Sequence, residues 1–145
     1  MMPIDVREVL ADPSQGGAYF VDARESDALA EAAQALDFAV VRIELAGCGS
    51  KHRALERFAQ ALRFPAWFGG NFDALADSLG DLSWLRARGY VLLLEHTDMW
   101  RQADDENFAT LLDILNEAAV VWGEQGVPFW ALMPLPQEQL DKLAI

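Results

Sequence analysis

Two aspartates, Asp73 and Asp77, stand one helical turn apart in the stretch FPAWFGGNFDALADSLGDLSWL, residues 64–85, and Asp81 continues their line. Phe72, Leu75, Ala76 and Leu79 recur in the same run at helical spacing, so the acids occupy a face beside an apolar stripe. Paired carboxylates hydrolyse glycosides when held roughly 5–10 Å apart, but that chemistry also requires one of them to be raised in pKa by a pocket. Two acids on one short helix bring no such wall with them, and no catalytic residue is expected. A solvated acidic face and a docking face for a basic partner both remain open from the pair alone. Like charges at this spacing cost an isolated helix roughly 0.2–0.5 kcal/mol, part of which Asp73 recovers from the positive end of the helix dipole.

Other reactive side chains form no convincing constellation. His52 and His96 are the chain's two histidines, so a histidine-rich zinc site is excluded, and Glu95, His96 and Asp98 read as a strand-end loop. Cys48, the single cysteine, rules out an internal disulfide framework. It has His52 four residues on but no third group to orient a catalytic pair, and it reads as a buried, inert thiol. Gly47-Cys48-Gly49-Ser50-Lys51 lacks the spacing of a phosphate-wrapping loop and is read as a strand-to-helix turn capped by Ser50. No cofactor and no metal are expected.

The order of residues around the acids is more specific than their composition. Pro65, the aromatic pair Trp67-Phe68, Gly69, Asn71, the apolar Phe72, then Asp73-Ala74-Leu75 and Asp77 together resemble the signature of the barstar family, intracellular protein inhibitors of a secreted ribonuclease. The resemblance extends more weakly through Tyr90 to Glu95, a long helix ending near Gly123 and a last strand near Phe129, covering about residues 39–135. It implies a small parallel sheet flanked by helices, and inhibition by occlusion: acids on the signature helix enter a basic active-site cleft in place of RNA phosphates. Carried over by position, it makes Asp77 the principal acid and Asp73 its companion, with Trp67 packing on the partner. Gly69, Asn71 and Phe72 shape and line the loop, and Glu117 on the later helix adds a peripheral charge. Ala76 falls among the partner-facing positions but departs from the family, which has a tryptophan between its two acids. The partner implied is a basic ribonuclease or nuclease toxin; the alternative is a non-catalytic adaptor or regulatory module on the same fold.

Elements able to position such a helix can be read along the chain. Phe64-Pro65 stops a preceding helix, Gly69-Gly70 permits positive φ, and Asn71 is a natural N-cap for the helix that follows. Ala18 to Val21 reads as a short strand, followed by a helix capped by Ser26 with Ala28, Leu29, Ala32, Ala33 and Leu36 as its packing face. Ala39 to Leu45 is a strand, and Lys51 to Arg63 an amphipathic helix with Leu55, Phe58, Ala59 and Leu62 on one side. Tyr90 to Leu94 is apolar on both faces, as a central parallel strand requires. Thr97 to Gln102 reads as loop, Phe108 to Trp122 as a long helix stopped by Gly123 and Gly126, and Val127 to Met133 as the closing strand.

Strands alternating with helices predict an α/β fold, a parallel sheet of three to four strands flanked by helices, which the strand at 18–21 is expected to join. A length of 145 residues predicts one domain, with an N-terminal extension over 1–38, a core over 39–135 and a tail over 136–145. The formal charge of −12 repels a phosphate backbone, so direct nucleic-acid binding is not expected. Apolar runs fall far short of the roughly 18–20 residues of a membrane span, and the N-terminus MMPIDVREVLADP has no apolar signal core, so a cytoplasmic protein is expected.

Overall fold

The computed structural model describes residues 5–143; positions 1–4 of the N-terminus and 144–145 of the expected tail lie outside them. Helix α1 (Val6–Leu10) leads through a short 3-10 turn to strand β1 (Gly17–Asp22), then α2 (Ser26–Ala35) and β2 (Ala39–Glu44). Helices α3 (Lys51–Ala61) and α4 (Phe72–Asp81) precede β3 (Tyr90–Glu95), and α5 (Asp98–Ala103) and α6 (Asp105–Glu124) precede β4 (Phe129–Leu135). A final helix, α7, spans Gln137–Leu143. The four strands form one parallel sheet in the order β1-β4-β3-β2. The N-terminal strand therefore joins the sheet as expected, with Gly17 opposite Trp130 and Asp22 opposite Leu135.

Alternation along the strands builds two cores, because successive side chains leave a sheet on opposite faces. Val91 and Leu93 of β3 turn to one face with Trp130 and Leu132, under Leu10 of α1 and Ala30 and Ala33 of α2. Tyr90, Leu92 and Leu94 turn to the other, where α3, α4, α5 and α6 contribute the larger cluster around Phe58, Leu75, Trp100 and Leu115. Residues 90–94 are all buried, which explains why β3 reads as an uninterrupted apolar run. Gly89 just before it has no room for a side chain: a Cβ there would come within 2.7 Å of the Phe38 ring.

The structure corrects several local expectations. Most of the stretch Thr97 to Gln102, read as loop, belongs to α5 (Asp98–Ala103), whose one buried side chain, Trp100, provides too little periodicity to detect. Ser26 is the first residue of α2 and not its cap; Glu25 occupies the cap position without a side-chain bond, and Ala30 replaces the exposed Ala28 on the packing face. Strand β4 begins at Phe129 and continues through Leu135. Of the two glycines before α4, only Gly70 takes positive φ, at 70°.

Candidate protein-docking site

Helix α4 is held at both ends by specific groups. Asn71 caps it, its Oδ1 accepting from the Ala74 N–H at 2.7 Å, and the Asn71 carbonyl accepts from the Leu75 N–H at 2.9 Å. Leu82 ends it in the left-handed conformation, at φ 46°, with its side chain fully buried. Leu75, Ser78 and Leu79 face the core, and α4 packs along α6, whose Trp122 Nε1 donates to the Leu79 carbonyl at 2.8 Å. With that face committed inward, helical geometry turns Asp73 and Asp77 outward, and both are exposed.

Neither carboxylate forms a hydrogen bond or an ion pair with any described residue; the six ion pairs lie elsewhere. Desolvation is therefore avoided and the charges are fully available to a partner. Neither Asp73 nor Asp77 lines any of five surface cavities among the described residues.

The loop before α4 is an aromatic scaffold. Phe64 packs against Phe68 at 4.8 Å between centroids and edge-on to Trp84 at 6.0 Å, while Trp84 Nε1 donates to the Leu62 carbonyl at 2.9 Å. Trp67 rests edge-on against Trp84 at 6.1 Å and is the outermost member, 61% exposed. From composition Trp84 reads as a core residue, and it does pack against the core; its further contact with Trp67 is one that composition does not display.

The remaining expected residues are placed unequally. Phe72 is the first residue of α4, half-buried against the core, with the Lys51 ammonium 5.2 Å above its ring. Gly69 is exposed in the loop, and Ala76 is half-buried on the side of α4 packed against the core. Glu117 is exposed on α6, beside Asn116, Val120 and Val121, with no bond to the acids of α4. The structure thus brings Trp67, Gly69, Asn71, Phe72, Asp73, Ala76 and Asp77 together on one loop and helix, with Glu117 on the neighbouring helix.

Other sequence candidates take ordinary positions. Cys48 is buried, and His52 Nε2 lies 3.0 Å from Glu56 on its own helix, so the two do not form a pair. Among the described residues no group of three or more His, Cys, Asp or Glu side chains is placed to hold a metal ion, and no helix is long and apolar enough to cross a membrane.

No curated protein matches the chain. Residues 38–134, two thirds of its length, match the family described as Barstar (barnase inhibitor), and they contain the capped acidic helix, its aromatic loop and three of the four strands. The chain belongs to the barstar family, a family of non-catalytic protein inhibitors.

Proposed function

We propose that this protein inhibits a basic ribonuclease by laying α4 and its preceding loop into the enzyme's active-site cleft, as an immunity or self-protection factor. The observation that carries this reading is the pair Asp73 and Asp77: exposed, one turn apart, and unneutralised by any described residue. Such a pair presents two anionic groups on a rigid element, as an RNA backbone would, and attracts arginine and lysine from a distance before contact. Trp67 supplies the apolar anchor beside them, since an exposed, pre-packed tryptophan buries much area at little entropic cost. Glu117 adds a further charge from α6. On this reading the protein works in the cytoplasm.

Ala76 favours a second reading. A methyl group between the acids, where the family has a tryptophan, removes a large contact and suits a binding module for a different basic protein. Titrating the purified protein into a panel of secreted basic ribonucleases at low salt separates the two. Inhibition of at least one enzyme is expected, and Asp77→Ala should weaken it by about thirtyfold or more, since truncating one member of a desolvated charge pair costs roughly 2–5 kcal/mol, a range to which the family's namesake complex itself contributed. Equal inhibition by the variant would refute the role of Asp77, and no inhibition of any enzyme would favour the adaptor.

A further inference from the structure

We propose that the open edge of β2, with the groove beside it, is a second docking surface that takes an extended acidic polypeptide segment as an added strand. The backbone provides the first argument. Ala39 N–H donates to Gly89 and Leu45 N–H to Glu95, so by the alternation of a parallel ladder the N–H and C=O groups of Val40 and Arg42 face away from β3. No loop or side chain among the described residues bonds to them. The opposite edge of the sheet is treated differently: the Ala18 N–H of β1 donates to Asn116 Oδ1 at 2.9 Å, and α7 packs against that strand.

Alongside Val40 to Arg42 runs a groove of ≈ 700 Å³, walled by Ala61, Leu62 and Arg63 at the end of α3 and by Trp84 and Leu85. Its walls are mixed, with Val40, Val41, Leu62 and Leu85 beside Arg42 and Arg63, so they suit a strand whose side chains alternate between apolar and acidic, which is how edge augmentation acquires specificity.

Charge decides which segment fits. Arg53, Arg57 and Ala61 follow one another at helical spacing on one side of α3; Ala61 lines the groove, and Arg57 is close enough to the edge strand to act on Glu44. Arg53, Arg57 and Arg63 have no carboxylate within ion-pair distance among the described residues, and Glu56 is the one acid between Glu44 and Asp73. On the strand itself Arg42 is already paired with Asp27 and Glu95, and Glu44 lies at the end nearer His96, so the unpaired basic charge belongs to the α3 side of the groove; on a chain of formal charge −12 it is a local exception, felt over about 8–10 Å before salt screens it. Edge-to-edge pairing with a second copy would set these arginines against their own counterparts, which disfavours self-association. A long polyanion such as RNA would meet the surrounding negative field, whereas a short acidic strand satisfies both the backbone groups and the guanidinium groups.

The test uses the full chain and four fluorescent probes: an alternating Glu/Val decapeptide, its Lys/Val counterpart, a proline-interrupted Glu/Val peptide and a single-stranded RNA decamer. The Glu/Val peptide is expected to bind about tenfold or more tightly than the other three, and Arg57→Glu and Arg63→Glu should each weaken it several-fold. Amide exchange should slow at Val40 and Arg42 in the complex. Four results would overturn the proposal: no preference for the acidic peptide, equal or tighter binding of RNA, protection that maps to α4, or a dimer already protecting Val40 and Arg42 without peptide. Trp84 walls the groove and also supports Trp67 of the nuclease-docking loop, so the two sites are separated by variants that touch only one of them: Asp77→Ala should leave peptide binding unchanged, and Arg57→Glu should leave nuclease inhibition unchanged.

Discussion

Asp73 and Asp77 owe their outward aim to the residues that fill the other side of α4, and one of those residues is imperfectly accommodated. Ser78 is fully buried between Leu75 and Leu79, and its hydroxyl has no hydrogen-bond partner among the described residues. A buried unsatisfied hydroxyl costs about 1–3 kcal/mol, whereas the methyl of alanine costs nothing there and has the higher helix propensity. Ser78→Ala should therefore raise the unfolding free energy by about 1 kcal/mol in urea titration. A loss of stability instead would mean that the hydroxyl has a partner after all. Leu82 presents the opposite balance. Its left-handed backbone costs roughly 1–2 kcal/mol, but complete burial of its side chain is worth roughly 1.5–3 kcal/mol, so packing wins over conformational preference at the end of α4.

At the level of elements, legibility in the sequence followed the number of buried side chains each element contributes. β3 with its all-apolar run, α6 with six buried residues and α4 with its cap, stripe and flanking glycines all carry a period or a signal that sequence alone displays. α1 and α5 bury one residue each and α7 none, so no period exists to be read, although Leu10 and Trp100 are important to the cores. The acids and aromatics of the site were legible as an ordered string, but the edge-on contact of Trp67 with Trp84 joins segments that only folding brings together. The same holds for the His96–Glu44 contact between the ends of β3 and β2, where His96 Nδ1 lies 2.7 Å from Glu44 Oε1. Hydrogen bonding to Glu44 raises the His96 pKa above its ordinary 6.5 against a smaller opposing effect of burial. For Glu44, burial is the largest single influence and acts upward, but bonds from the Ala46 N–H and His96 together take it below 4.5. His96 contributes fully below 6.5 and loses its contribution as pH rises through its raised folded value. Glu44 contributes above 4.5 and loses its contribution as pH falls through its lowered one. With His96 63% and Glu44 49% exposed, solvent screening limits the pair to under about 1 kcal/mol. Stability measured by urea titration should decline slightly as pH climbs past 6.5, and His96→Gln should remove that decline. An unchanged slope in the variant would assign it to other groups.

For the whole molecule, the question is whether residues outside the family match are an appendage or part of the fold. The match begins at Phe38, yet β1 supplies the neighbour of β4 along its whole length, and Trp130 of β4 donates its Nε1–H to the Leu10 carbonyl at 3.0 Å in a buried position. Removing residues 1–37 would strip Leu10, Ala30 and Ala33 from Val91, Leu93, Trp130 and Leu132, and would leave β4 as an open, apolar edge. Each large side chain so uncovered forfeits roughly 1.5–3 kcal/mol, and a handful of them is comparable with the whole stability of a small domain, about 5–15 kcal/mol. An unprotected apolar edge strand also templates pairing between chains. A protein beginning at Phe38 is therefore expected to lose its near-ultraviolet circular dichroism and cooperative unfolding, and to scatter light at concentrations where the full chain remains monodisperse. Cooperative unfolding of a monodisperse truncated chain would show instead that the family core stands alone. The first strand and helix would then be a cover added to a sheet that did not need it, and the acidic helix α4, which packs on the opposite face against α6, should keep its nuclease affinity in that truncated protein.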